Sequence, residues 1–390
     1  MNNFNCLLTK MSLKTIAVIT MCVGVVYGQY SVNGPCLTPD GNPGTCISVY
    51  SCPQIRNLLR GTVSRETLAF VENSKCTSPE AYSVCCALPR PVVEEAGDCQ
   101  AKMTAFPPDP STKCCGEEAN LGDKLYGANQ NGTAIDEYPW MVVIEYFNVK
   151  YRVVNLLCGG SLISGRYVLT AAHCVIGPIL DTATPQRVRL GEYDTSNEGM
   201  DCVTASSGGE DCTDGVVRIA IQRSTPHPEY DNRSKRNDIA LIRLRETAPY
   251  TDFIRPVCLP GTDLTLSGNT PDNFFLYAVG WGKTESGRPS KIKLQISVPY
   301  VRLDICQPAY NVPGLTANLG RGQFCAGGLD GVDSCNGDSG GPLVYQKENS
   351  VFEAIGVVSF GPKGCGMKGI PGIYTNVHVY LDWIKSVIVP

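Results

Sequence analysis

From Trp140 onward the chain alternates short apolar runs with glycine, proline, asparagine and aspartate. Met141–Phe147, Ser161–Ser164, Tyr167–Thr170, Val188–Leu190, Ile239–Leu244 and Ala354–Phe360 are the clearest of these runs. Many short apolar stretches punctuated by turn residues predict an all-β barrel or sandwich. Val377 to Val387 places its apolar residues near helical spacing and predicts a terminal helix. Asn57 to Phe70, with Leu58, Leu59, Leu68 and Phe70, predicts a short helix in the first quarter of the chain. Residues 87–124 carry proline and acidic residues without periodicity and read as a linker.

At the N-terminus, Lys10 and Lys14 precede the apolar run Ile16–Tyr27 and then Gly28. This order reads as a secretory signal peptide over residues 1–28, cleaved after Gly28. The run is short for a membrane span, and a buried helix is the alternative. Translation from Met1 or from Met11 leaves the signal intact.

Composition adds the compartment. Of 20 cysteines, Cys6 and Cys22 leave with the signal; the other 18 form an even set, as expected of an oxidised extracellular protein. Six of them, Cys36, Cys46, Cys52, Cys76, Cys85 and Cys86, lie in a segment too short to bury much apolar surface. Disulfides are the expected staple there, and spacing alone leaves their connectivity open. Asn131-Gly-Thr133 and Asn232-Arg-Ser234 are acceptor sequences for N-glycans. The net charge of −4 has no long run of one sign, which argues against nucleic acid and against an acidic membrane surface as partners. Arg233-Ser-Lys-Arg236 is the nearest thing to a basic patch and reads as a solvated loop.

The chemistry lies in three motifs. Gly337-Asp338-Ser339-Gly340-Gly341 sets a hydroxyl among glycines, where the backbone turns sharply. Leu169-Thr-Ala-Ala-His-Cys174 supplies His173, one of only three histidines, and Asn237-Asp-Ile-Ala-Leu241 supplies Asp238 ahead of a buried-strand pattern. A serine hydroxyl needs a base to take its proton, and a neutral imidazole oriented by a carboxylate is the natural one. His227, between two prolines, reads as a turn residue, and His378 as a packing or surface residue.

With Pro139-Trp140 ahead of them, these motifs resemble the chymotrypsin-like serine proteases from Leu125 to the C-terminus. The six early cysteines, ending in the adjacent pair Cys85-Cys86, resemble the clip domain of arthropod serine proteases. The resemblance implies a clip domain at 36–86 and a protease domain at 125–390 of two similar six-stranded barrels with a C-terminal helix. It makes His173, Asp238 and Ser339 the catalytic triad, with Gly337 and Ser339 as the oxyanion hole. Asp333, with Ser359, Gly361 and Gly372, would line a pocket for Arg or Lys. Cleavage after Lys124 would free Leu125 to pair with Asp338; here Leu125-Tyr-Gly-Ala128 departs from the family's usual Ile-Val-Gly-Gly.

The implied disulfides are Cys36–Cys85, Cys46–Cys76, Cys52–Cys86, Cys115–Cys258, Cys158–Cys174, Cys202–Cys212, Cys306–Cys325 and Cys335–Cys365. Cys99–Cys114 follows by elimination. No cofactor is expected for the chemistry, and Glu192, Asp194 and Glu198 lie in a loop that binds a structural calcium in some relatives. The resemblance also implies a protein substrate, an upstream activating protease and serpin inhibitors in the haemolymph. The favoured cascade is melanisation through prophenoloxidase activation, with Toll-ligand processing or clotting as the others. A non-catalytic clip-domain homologue acting as a cofactor is the rival reading; such proteins usually lack the serine.

Overall fold

The computed structural model describes residues 34–39, 43–49, 52, 55, 65–77, 82–87, 99–119, 132–204, 210–284, 287–312, 315–331, 337–362 and 366–390. The expected signal peptide, Lys124, Leu125, Asn131, Asp333 and the pair Cys335–Cys365 lie outside them. The chain divides into two compact units, residues 1–88 and 89–390. No helix among the described residues is long and apolar enough to cross a membrane.

Among its described residues the first unit holds a three-stranded antiparallel sheet, β1 (Pro35–Leu37), β2 (Pro43–Ser48) and β3 (Ser83–Ala87), and the helix α1 (Arg65–Asn73). Its core is small: Cys52, Ile55, Val84 and Cys86, with Phe70 and Val71 of α1 packed against them. The bonds Cys36–Cys85, Cys46–Cys76 and Cys52–Cys86 cross-link it. So little buried apolar area needs such links. The described part of the expected helix Asn57–Phe70 is helical, Arg65–Phe70 forming the start of α1. It runs on to bury part of Val71 and ends where the Ser74 N–H and hydroxyl both donate to the Phe70 carbonyl, while Leu68 is exposed. Residues 56–64 lie outside the described ones.

The second unit holds two closed six-stranded barrels. The first is built from β4 (Met141–Asn148), β5 (Val153–Leu162), β6 (Tyr167–Thr170), β7 (Thr184–Leu190), β10 (Val217–Pro226) and β11 (Ala240–Leu244). Between them, β8 (Cys202–Thr204) and β9 (Glu210–Cys212) make a small hairpin closed by Cys202–Cys212. The second barrel uses β12 (Phe275–Gly280), β13 (Leu294–Val301), β16 (Gln323–Gly327), β17 (Pro342–Gln346), β18 (Phe352–Phe360) and β19 (Pro371–Asn376). Two short elements, α2 (Leu303–Ala309) and the hairpin β14–β15 (Asn311–Val312, Leu315–Thr316), stand between β13 and β16. Closure removes the exposed strand edges that an open sheet would leave. Trp140, Tyr146, Tyr167 and Leu169 fill the first core; Leu276, Val298, Phe324 and Tyr374 fill the second. The terminal helix expected over Val377–Val387 is one 3₁₀ turn, Val377–Tyr380, followed by α3 (Leu381–Val387).

Part of the expected linker is no linker. Residues 99–119 belong to the second unit and dock on it through single anchors rather than a regular element. Met103 enters the first barrel's core cluster. Cys99–Cys114 closes a local loop, and Cys115–Cys258 ties the segment to the barrels. Gly116 donates to the Pro256 carbonyl at 2.9 Å and accepts from the Phe352 N–H at 2.8 Å. Its φ is +70°, and a Cβ there would stand 2.3 Å from the Phe352 carbonyl, so only glycine fits.

Candidate active site

Strand pairing brings two of the three motifs together. β6 and β11 are antiparallel neighbours with Thr170 opposite Ala240. His173 lies three residues beyond the end of β6 and Asp238 two residues before the start of β11, so both stand at the same end of the barrel. Cys158–Cys174 pins the turn that carries His173 to β5.

Asp238 is fully buried and holds the histidine at two points. His173 Nδ1 lies 2.8 Å from its Oδ2, and the His173 backbone N–H donates to Oδ1 at 2.9 Å. A carboxylate only accepts, so Nδ1 carries the proton and Nε2 keeps the lone pair that a base needs. The Ser359 hydroxyl donates to the same Oδ2 at 2.5 Å, and the Thr375 hydroxyl donates to the Asp238 carbonyl at 2.8 Å. Burial pushes the Asp238 carboxyl up, but the hydrogen bond and charge of His173, with the Ser359 hydroxyl, outweigh it and hold the group below the usual range. It is the charged form that the site keeps.

Ser339 arrives from the other barrel, in the turn just ahead of β17. The Gly159 N–H of β5 donates to the Ser339 carbonyl at 2.8 Å, and the Gly340 N–H donates to the Val358 carbonyl at 2.9 Å. Gly340 has φ +77°, and a Cβ on it would stand 2.2 Å from the Thr170 hydroxyl and 3.1 Å from Cys174 Sγ. The serine turn is thus pressed against the residues flanking His173, and glycine permits the approach. Gly337 has φ +110°, and Gly341 N–H donates to the Asp338 carbonyl at 2.8 Å, closing the turn. Asp338 Oδ1 accepts from the Gly282 N–H at 2.8 Å, and a Cβ at Gly280 or Gly282 would collide with its carboxylate. Beside it lies a cavity of about 90 Å³ with Met141, Val143, Leu156 and Val279 among its walls.

Of the expected pocket residues, Gly361 and Gly372 face each other; a Cβ on Gly361 would lie 4.0 Å from Gly372 Cα. Ser359, expected with them, turns its hydroxyl to Asp238. Neither this bond nor the one from Thr375 to the Asp238 carbonyl leaves a signal in the sequence. The donors sit on β18 and β19, over a hundred residues downstream, and only the barrel's closure brings them near.

Glu192, Asp194 and Glu198 do not form one donor set. Arg189, itself buried, donates to Glu192 at 3.1 Å, to Glu198 at 3.3 Å and to Glu145 at 2.5 Å. Arg218 binds Glu198 as well as Glu145, and Arg187 binds Glu145 at 2.8 Å. Asp194 accepts only locally, from the Ser196 N–H. Two of the three side chains expected to hold calcium, Glu192 and Glu198, are committed to guanidinium groups, which does not fit the expected cage. Burial pushes the Glu192 carboxyl up, partly offset by Arg189. Glu145 is pushed up by burial too, but Arg189 and its neighbours win and hold it low.

Asn232 lies exposed on the loop before Asp238. His227 packs against Tyr380 and Trp383, as a structural residue would. Cys306 and Cys325 are bonded. Lys293 is buried, donates to the Glu137 carbonyl at 2.5 Å and lies over the Tyr193 ring; burial lowers it to about 8.

The family model described as Trypsin matches residues 128–384, and the one described as Regulatory CLIP domain of proteinases matches residues 36–86. The chain is 48% identical over 377 residues to a phenoloxidase-activating enzyme of Bombyx mori, covering 91% of this chain and 83% of that one. It is 40% identical over 371 residues to serine protease ea of Drosophila melanogaster, covering 91% of each. Among solved structures it resembles the Drosophila Grass clip serine protease of the Toll pathway, with TM-score 0.58 and 30% identity over 91% of this chain and 97% of that one.

Proposed function

We infer, for a chain that belongs to the clip-domain serine proteases of the trypsin family, that it is the secreted zymogen of an endopeptidase cutting after Arg or Lys. It acts in an arthropod immune cascade, with activation of prophenoloxidase in the haemolymph as its favoured role. The 48% identity to a phenoloxidase-activating enzyme supports melanisation over Toll-ligand processing or clotting. The observation that carries the enzymatic reading is the two-point hold of Asp238 on His173, with the Ser339 turn packed against the same loop.

In this reading Ser339 Oγ attacks the scissile carbonyl as His173 Nε2 takes its proton. Asp238 keeps the imidazole in that tautomer and stabilises the imidazolium. The N–H groups of Gly337 and Ser339 receive the developing oxyanion, a donor of this kind being worth roughly 3 kcal/mol. His173 then returns the proton to the leaving amine, and water hydrolyses the acyl-enzyme by the same steps in reverse. Asp333 at the pocket floor selects Arg or Lys because a buried carboxylate is costly without a cation; Gly361 and Gly372 leave the width.

Activation is a cut after Lys124 by an upstream protease of trypsin-like taste. The new ammonium of Leu125 pairs with Asp338 and orders the turn from Gly337 to Ser339. Serpins are the expected inhibitors.

The test uses secreted wild type and Ser339→Ala, each treated with a Lys-specific protease. A new N-terminus at Leu125 with Ser339-dependent hydrolysis of Arg and Lys amides, and none of Phe amides, is expected. A Leu125 start with no activity would sink the enzymatic reading and favour a non-catalytic cofactor.

A further inference from the structure

The loop that leads into Asp238 carries an acceptor sequence that the catalytic scheme leaves unused. Asp231 and Arg236 pair across its neck, with the Asp231 N–H donating to the Arg236 carbonyl at 3.1 Å. The Asp231 carboxylate then accepts from the Arg233 N–H at 3.0 Å and from the Ser234 hydroxyl at 2.6 Å. At the base, the Asn237 amide donates to the Glu229 carbonyl at 2.8 Å and accepts from the Tyr380 hydroxyl at 2.9 Å. This is a rigid loop with Asn232 and Arg233 exposed at its tip.

The side chain of Asn232 has a chemically fixed orientation. Its Oδ1 accepts from Lys235 Nζ at 2.7 Å and from the Tyr230 hydroxyl at 3.1 Å. An ammonium can only donate, so the oxygen must face Lys235 and the nitrogen, where a sugar attaches, occupies the other branch. Across the loop stands Gly177, four residues beyond His173, where a Cβ would lie 4.0 Å from Asn232 Oδ1. Asn232 therefore sits where the loop leaving His173 meets the loop entering Asp238.

We propose that Asn232 carries an N-linked glycan rooted on the rim of the catalytic cleft, where it screens the cleft from folded proteins while admitting peptides. The inference rests on reading the chain as a secreted endopeptidase with Ser339 as nucleophile. The covalent step balances with a lipid-diphosphate-linked oligosaccharide as donor. The Asn232 amide nitrogen bonds the anomeric carbon, the lipid diphosphate leaves, and the nitrogen gives up one proton. Because the loop is held at neck and base, the root of the glycan is fixed, and its volume excludes a defined set of approach directions. A folded partner loses productive orientations on encounter; a short peptide does not.

The experiment uses the full chain secreted from insect cells and activated at Lys124. Peptide mapping should find a glycan mass on the Asn232 peptide that a glycosidase removes. Asn232→Gln and Ser234→Ala erase the acceptor sequence through different side chains, and Ser234→Thr keeps it. Both erasing variants should bind a Kunitz-type trypsin inhibitor about tenfold faster, within the range over which docking constraints move association rates. Ser234→Thr should match wild type, and kcat/KM on an Arg tripeptide amide should be the same for all four proteins. An unmodified Asn232 in secreted, amidase-active protein overturns the proposal. So do equal inhibitor rates with and without the glycan, or a change in only one erasing variant, which would assign the effect to the side chain. Absent amidase activity in wild type would instead strike the protease reading.

Discussion

Asp238 grips His173 by ring and backbone at once, with contacts of 2.8 and 2.9 Å from its two carboxylate oxygens. In Asp238→Asn the amide can present one oxygen only. If it accepts from the backbone N–H, its NH₂ meets Nδ1 as a donor and forces the proton onto Nε2, the wrong nitrogen for a base. The kcat of activated enzyme on an Arg amide should fall about 10⁴-fold with the fold intact. A loss under tenfold would remove Asp238 from this role.

Ser359 separates two accounts of one residue. Its hydroxyl is bonded to Asp238, so Ser359→Ala should lower kcat roughly tenfold, the loss of one hydrogen bond to a charged group. KM for Arg amides should change little. A raised KM with unchanged kcat would return the side chain to substrate binding.

Arg189 is the hub of a buried charge cluster that binds Glu145, Glu192 and Glu198. Arg189→Met would leave Glu145 and Glu192 buried with less compensation. Unfolding in denaturant should show a loss of about 3–5 kcal/mol, the usual cost of removing one partner from a buried pair. A change below about 1 kcal/mol would mean that Arg187 and Arg218 carry the cluster without it.

Lys293 makes stability depend on alkaline pH. Burial lowers its pKa from 10.5 to about 8, so between those values the unfolded chain holds the proton more tightly than the folded one. Stability contributed by this group therefore rises with pH across that window and is flat below it. The stability difference between wild type and Lys293→Met, measured at pH 7 and at pH 9.5, should shift in favour of wild type at the higher value. A constant difference would mean the ammonium is not desolvated.

The bridge Cys115–Cys258 is not the only hold on residues 99–119, since Met103 is buried among first-barrel side chains and Gly116 makes two backbone bonds. After cleavage at Lys124, a Cys115→Ser, Cys258→Ser double variant should still co-elute as two chains on gel filtration and separate only in denaturant. Separation in plain buffer would show that the disulfide alone holds them.

What the sequence disclosed was local. Leu169–Cys174, Asn237–Leu241 and Gly337–Gly341 each announce their residue because the turn, the buried strand and the glycines leave a mark beside it. Strands of the first barrel were legible where apolar residues ran unbroken. The first half of β5, with Val153, Val154, Leu156 and Leu157 all exposed, was missed because no face of it is buried. Long-range partners left no mark. Glu192 and Glu198 look like an acidic cluster in sequence, and nothing adjacent reveals that Arg189 and Arg218 will reach them from β7 and β10. Residues 99–119 read as a linker because Met103, Cys115 and Gly116 are isolated footholds without a period.

Those footholds decide what the proposed cut can set free. A cut after Lys124 would release nothing into solution, because the Cys115–Cys258 bond, Met103 and Gly116 hold the upstream stretch to the barrels it precedes. The disulfide-laced N-terminal unit thus becomes a leash rather than a discarded wrapper. Wherever that unit is moored, the awakened enzyme is moored too, and it meets its substrates at the concentration of that place instead of the fluid around it.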